Sequence, residues 1–103
     1  MKKLTGLEEK LEKLNEKDSD MQSFKEFFKA AVSFSITKSG DEAVDLFEIA
    51  IKIRRANGEV DLEDAEFKKL SSKVGENPVG WPSWVHAQLV SKLRAIEKES
   101  EKK

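Results

Sequence analysis

The segment of residues 41–56 constrains the fold most, because its apolar residues recur at helical intervals between two end signals. Ser39 and Glu42 have the S-x-x-E spacing of a capping box, and Asn57 with Gly58 suits the left-handed conformation of a helix C-cap. The apolar residues of the segment are Ala43, Val44, Leu46, Phe47, Ile49, Ala50, Ile51 and Ile53. Because a helix that is apolar around most of its circumference is usually buried, this segment predicts a central helix.

Three further segments carry apolar residues at helical spacing and predict the helices around this one. Ser19 with Gln22, Asp61 and Ser83 stand where helix N-caps are expected. The residues predicted to face the core are Met21, Phe24, Phe27, Phe28, Ala31 and Val32; then Leu62, Ala65 or Glu66, Phe67, Leu70 and Val74; then Val85, Leu89, Leu93 and Ile96. The predicted fold is all-α or mainly α, a compact bundle of four to five short helices with its core domain in residues 19–96.

The two ends of the chain differ from this core in composition. Residues 1–18 carry a helical stripe of Leu4, Leu7, Leu11 and Leu14, with Thr5 and Glu8 at capping-box spacing. We expect an amphipathic helix that either docks on the domain or frays, since isolated helices this short are marginal in water. The alternative is a weak homodimer through the four leucines. Residues 97–103 are charged and predict a frayed tail.

Residues 34–37 leave two interpretations open. The alternation of apolar and small polar residues from Val32 to Thr37 is that of a short strand, although the segment directly follows a helical pattern. It is either the bent end of that helix or one strand of a small two-stranded pairing with residues 59–62.

The composition excludes several classes of protein. A chain of 103 residues fits one domain, and 19 Lys and Arg against 20 Asp and Glu give no overall attraction to polyanions. The absence of cysteine rules out disulfides and thiolate chemistry, and no apolar run reaches the roughly 20 residues of a membrane span. We therefore expect a cytoplasmic protein that does not enter a membrane.

Catalytic and metal sites find little support in the sequence. The turn after residue 56 has the look of an EF-hand loop, but it places Ile53 and Arg55 at positions that need carboxylates, which excludes calcium. His86 is the only histidine, and although Ser83 lies three positions before it, no carboxylate is placed to orient the ring. We expect no cofactor, no metal and no enzymatic activity.

A nucleic-acid-associated regulator is the alternative function considered. A helix entering the major groove does so with its N-terminal residues, and residues 61–66 hold four carboxylates there. The last predicted helix offers a better basic set in Lys92, Arg94 and Lys98, diluted by Glu97 and Glu99. Nucleic-acid binding is therefore expected only if these three cations carry it.

The leading functional hypothesis places a partner-binding surface on the last predicted helix. If Val85 and Leu89 face the core, Trp84 falls on a different side, as tryptophans in interface hot spots often do. The residues of this predicted surface are Trp81, Trp84, Gln88, Ser91 and Ala95. The competing interpretation is that Trp84 packs over Pro78 and Trp81 or covers the leucine stripe.

The order of these features from about residue 24 to residue 96 resembles small phage- and prophage-encoded helical proteins of unassigned function. The similarity lies in the helix of residues 45–53, the turn and acidic helix start of residues 56–62, and the closing helix of residues 85–93. The chain departs from that pattern in its aromatic segment of residues 80–84 and its leucine-striped N-terminus. The resemblance implies a non-enzymatic accessory protein that acts through contacts with larger machinery.

Overall fold

The computed structural model describes residues 1–12 and 23–101, apart from the side chains of residues 100 and 101. In chain order the elements are β1 (Lys2–Leu4), α1 (Phe24–Ser33), α2 (Gly40–Arg55), β2 (Val60–Leu62), α3 (Asp64–Glu76) and α4 (Ser83–Glu101). This order confirms the prediction of a mainly α fold with a small two-stranded pairing. The predicted cap formed by Ser19 and Gln22, together with Met21, lies outside the described residues.

Together with α3, which also packs against the other three helices, helix α1 lies at the centre of the fold. It packs against each of the other three helices, and its Phe28 is 0% exposed. The ring of Phe24 stacks on Phe28 with centroids 5.9 Å apart. Large aromatic side chains let this short helix fill the space between its neighbours. The prediction that residues 41–56 form the central helix is therefore not fully confirmed: the helix exists as α2, and it packs mainly against α1 and α3.

The N-terminal segment is a strand and a loop, so the predicted helix over residues 1–18 is wrong for residues 1–12. β1 pairs antiparallel with β2, placing Lys2 opposite Leu62 and Leu4 opposite Val60. Beyond β1, Gly6 adopts a φ of 66°, which glycine tolerates and a regular helix does not contain. The Leu7 N–H then donates to the Gly58 carbonyl at 2.9 Å.

The leucines of this segment are buried in the core of their own chain. Leu4, Leu7 and Leu11 belong to the single buried core cluster, and the Leu7 carbonyl accepts a hydrogen bond from the Lys25 N–H at 2.9 Å. The segment therefore docks on the domain, as one of the two expectations had it, but in extended form. A homodimer through these three leucines would require the core to open; Leu14 lies outside the described residues.

Residues 34–37 form neither of the two predicted structures. Helix α1 ends at Ser33, and the Phe34 N–H still donates to the Ala30 carbonyl at 2.9 Å. The following residues are irregular and lead into the cap of α2, where the Ser39 hydroxyl accepts from the Glu42 N–H. The predicted strand over residues 59–62 does exist as β2, but its partner is β1.

Helix α3 begins two residues later than predicted, because Asp61 and Leu62 belong to β2. The Glu63 N–H donates to the Glu66 carboxylate at 2.9 Å and so satisfies one of the free donors at the helix start. The predicted inward face is confirmed, with Leu62, Phe67, Leu70 and Val74 buried.

Helix α4 confirms its predicted inward face and corrects the predicted tail. Val85, Leu89, Leu93 and Ile96 are buried. The helix continues to Glu101, because the Glu and Lys residues that follow Ile96 are themselves good helix formers. The expected frayed tail from residue 97 is therefore wrong as far as residue 101.

Candidate interaction surface

The two tryptophans contribute to the core more than to an open surface. Trp81 and Trp84 are each partly buried against the core, and the Trp81 ring meets Phe27 edge-on with centroids 5.3 Å apart. Trp81 is fixed by Asn77, a residue at a φ of 52° whose side chain bonds both the N–H and the carbonyl of Trp81 at 2.9 Å. The premise that Trp84 projects away from the core is wrong.

The rest of the predicted partner-binding surface is partly covered by the N-terminal segment. The Gln88 amide accepts from the Glu12 N–H at 2.8 Å and donates to the Glu12 carbonyl at 3.1 Å. Ser91 and Ala95 stay exposed farther along α4. The structure thus bonds Gln88 to the backbone of its own chain. Ser91 and Ala95 are small, and among the described residues no large apolar side chain is exposed beside them.

The three cations of the nucleic-acid hypothesis do not act as one set. The Lys92 ammonium lies 3.3 Å from the Glu9 carboxylate and 5.3 Å from the centroid of the Phe24 ring, so it serves the fold. Arg94 and Lys98 are exposed on α4. With Lys92 engaged by Glu9, this arrangement does not favour a phosphate-binding surface.

His86 has a structural role in the contact between α3 and α4. Its ring Nε2 lies 2.8 Å from the Val74 carbonyl, which can only accept, so this nitrogen donates and is not available as a general base. The part of the chain that the structure describes contains no group of three His, Cys, Asp or Glu residues that could hold a metal ion. Within those same residues, no helix is long and apolar enough to cross a membrane.

Sequence reasoning missed a second surface, where large apolar side chains are exposed beside a groove. Phe34 is 69% exposed, Ile36 91%, Val44 55% and Phe47 65%. The groove, about 360 Å³ in volume, lies between the end of α1 and helix α2. Its walls are formed by Val32, Ser33, Ser35, Thr37, Ala43, Leu46, Phe47 and Ala50. We call Phe34, Val44, Phe47 and this groove the outer apolar surface; Ile36 instead borders a second groove, with Lys73, Glu76 and Pro78.

Helix α2 creates this surface because it has two apolar faces. Its buried residues Leu46, Ile49 and Ile53 follow helical spacing toward the core. Val44, Phe47 and Ile51 follow the same kind of spacing on another side, where the first two are largely exposed and Ile51 is half-buried. The sequence did contain a signal for this surface. A helix that is apolar around most of its circumference either is surrounded by the core or has a second apolar face that contacts another molecule.

The flank of α2 that faces α3 is fixed by ion pairs. Lys73 lies 2.7 Å from Glu42, Lys52 lies 2.7 Å from Glu66, and Lys69 pairs with Asp45. The hydrogen bond from Lys73 lowers the pKa of Glu42 below its ordinary value. Burial alone would raise the pKa of Glu66, but hydrogen bonds from Lys52 and the Glu63 N–H outweigh it and lower that pKa. These contacts orient α2 so that its second apolar face points away from α3.

The Glu42–Lys73 pair predicts a specific loss of stability in acid. Because the pKa of Glu42 is lower in the folded chain than its ordinary 4.5, its contribution is present above that value and is lost as the pH falls through the lowered pKa. We expect Glu42→Gln to flatten the decrease in stability below about pH 4.5, measured by urea unfolding from pH 7 to pH 3. The control is Glu97→Gln, at an exposed carboxylate without an ion pair among the described residues; an equal flattening there would contradict the assignment.

The outer apolar surface is thus the part of the described chain best suited to bind another molecule. It combines exposed aromatic and aliphatic side chains with a groove of small residues, and it contains no arrangement for acid–base or metal chemistry among the described residues. No relative bears on the resemblance to phage-encoded proteins, because no family model, no curated protein and no solved structure matches this chain.

Proposed function

We propose that this chain is a non-enzymatic protein-interaction module that binds its partner through the outer apolar surface. The observation that carries the proposal is the largely exposed Phe47 ring in the wall of the groove between α1 and α2, with the exposed Phe34 and Val44 directly beside wall residues in the sequence. Single exposed apolar residues are normal on proteins, whereas a contiguous group of large ones is typical of interaction sites.

The free energy available at this surface supports the proposal. Burying one fully exposed Phe or Val side chain contributes about 1.5–3 kcal/mol. Phe34, Val44 and Phe47 are between 55% and 69% exposed, so each offers a partner part of that free energy. The groove lined by Ser33, Ser35 and Ala43 has the small side chains that let an inserted group approach the backbone closely. A large aromatic anchor entering a pocket is the usual form of an interface hot spot.

An accessory role in larger machinery, of the kind that the phage-encoded proteins suggest, is compatible with this surface. The proposal differs from the sequence-based hypothesis in where the partner binds. Trp81 and Trp84 pack against the core, and the proposed binding residues are Phe34, Val44 and Phe47.

Site-specific photo-crosslinking in the native cells tests the proposal. A crosslinking amino acid at position 47 is expected to give a discrete adduct, while the same amino acid at position 94, exposed on α4, gives none. Both substitutions replace exposed side chains, so folding is retained and can be checked by circular dichroism. If position 47 gives no more adduct than position 94, the outer apolar surface is not a protein-binding site.

A further inference from the structure

The second apolar face of α2 has the residue spacing of a helix that packs along another helix. Val44, Phe47 and Ile51 stand at i, i+3 and i+7, the spacing that forms a continuous seam in paired helices. Phe47 lies in the middle of this seam, with the two aliphatic residues on either side. The seam is therefore nearly symmetric about its centre in the chemistry of its side chains.

The charges along one edge of this seam are not symmetric, and their order is informative. Asp41, Glu48 and Arg55 are spaced seven residues apart and follow one flank of α2. All three are exposed, and none has an ion-pair partner among the described residues. The flank therefore starts acidic at the N-terminal end of the helix and finishes basic at the C-terminal end.

An antiparallel copy of the same helix satisfies this charge order. A two-fold axis perpendicular to the helices places each flank beside the same flank of the other copy, in reverse direction. Asp41 then faces Arg55 of the second copy, and this pairing occurs twice. A parallel two-fold arrangement would instead place this flank on opposite sides of the seam in the two copies, so Asp41 would not meet Arg55. The antiparallel arrangement also sets the opposite ends of the two helix dipoles beside each other.

We infer that the partner bound at the outer apolar surface is a second copy of this chain, an inference that rests on the proposed function. Helix α2 of each copy lies antiparallel across the other, with the two Phe47 rings near the axis. Val44 of one copy contacts Ile51 of the other. The groove beside Phe47, lined by Ala43 and Ala50, gives the ring of the second copy room to insert.

Glu48 gives the inference a signature that an unrelated partner would not produce. It lies at the middle of the charged flank, so the two-fold axis brings it close to its own copy, and like charges facing each other weaken a helix pair. Glu48→Gln is therefore expected to tighten the dimer by about twofold or more.

Sedimentation equilibrium of the purified chain over a concentration series tests the arrangement directly. We expect a monomer–dimer equilibrium in which Phe47→Ala weakens association by roughly thirtyfold or more, the effect of removing an interface hot spot. Asp41→Arg and Arg55→Asp are each expected to weaken association by about tenfold, and the double variant to restore it. Unchanged thermal unfolding of each variant, followed at a concentration where all are monomeric, shows that the fold is retained.

The outcomes separate this inference from the proposed function. A chain that stays monomeric at millimolar concentration, or charge reversals that the double variant does not rescue, overturns the two-fold antiparallel dimer. If crosslinks from position 47 then lead to a different protein, the proposed function stands without the dimer. If position 47 gives no adduct and the chain is monomeric, both are overturned.

Discussion

Replacing Phe28 by alanine is expected to lower the free energy of unfolding by about 3–5 kcal/mol, the usual cost of deleting a buried ring. Phe28 is fully buried on α1, one of the two helices that pack against all three of the others. The substitution removes the stacking on Phe24 and leaves a cavity that α2, α3 and α4 cannot all close at once. Urea unfolding followed by circular dichroism measures the change.

The matched control is Phe34→Ala, which makes the same chemical change at the end of the same helix. Phe34 is largely exposed, so its removal is expected to change the unfolding free energy by no more than about 0.5 kcal/mol. Equal losses for the two variants would mean that α1 is not the centre of the core.

Leu7→Ala is expected to cost about 2–5 kcal/mol, a large share of the stability of a chain this small. Leu7 is fully buried, and its backbone is held on both sides by the Gly58 carbonyl and the Lys25 N–H. A frayed amphipathic helix at this end would make the same substitution nearly neutral. The measurement is again urea unfolding, with Ile36→Ala as the control at an apolar residue that is 91% exposed.

Hydrogen exchange gives a second test of the same segment. The Leu7 N–H is expected to exchange as slowly as amides of the α1 core, because opening its bond to Gly58 requires the N-terminal segment to leave the domain. Fast exchange at Leu7 together with a small effect of Leu7→Ala would show that the segment is detached in solution.

The helices whose apolar residues face one side could be predicted from the sequence. Phe67, Leu70 and Val74 on α3, and Val85, Leu89 and Leu93 on α4, follow the helical period and are all buried. Such a pattern is decided by local geometry, because residues at i, i+3 and i+4 must share a face of any helix.

The N-terminal segment could not be predicted, because the same leucine spacing serves two structures. Leu4, Leu7 and Leu11 would share a helical face, yet a strand, a turn at Gly6 and an extended loop also bring them to the core. The choice depends on pairing with β2, more than fifty residues away along the chain. A strand of three residues is too short to show its own period.

The outer apolar surface could not be located from the sequence either. The apolar residues around α2 indicate that two faces need cover, but they do not say whether the second cover comes from the same chain. Trp84 is the reverse case. Its position on α4 predicted an outward side chain, but that side chain packs partly against the core of its own chain. Only the tertiary contacts distinguish Phe47 from Trp84.

The pairing of β1 with β2 affects how the chain folds while it is being synthesised on the ribosome. Leu4 and Leu7 are synthesised before the residues that contact them: β1, which contains Leu4, packs against β2 and α4, and the Leu7 N–H bonds the Gly58 carbonyl. Until those late residues leave the exit tunnel, the leucines remain open to chaperones, because a nascent chain can bury a side chain only against residues already made. The N-terminal segment is therefore synthesised before the elements that cover it and is among the last to be fixed in place.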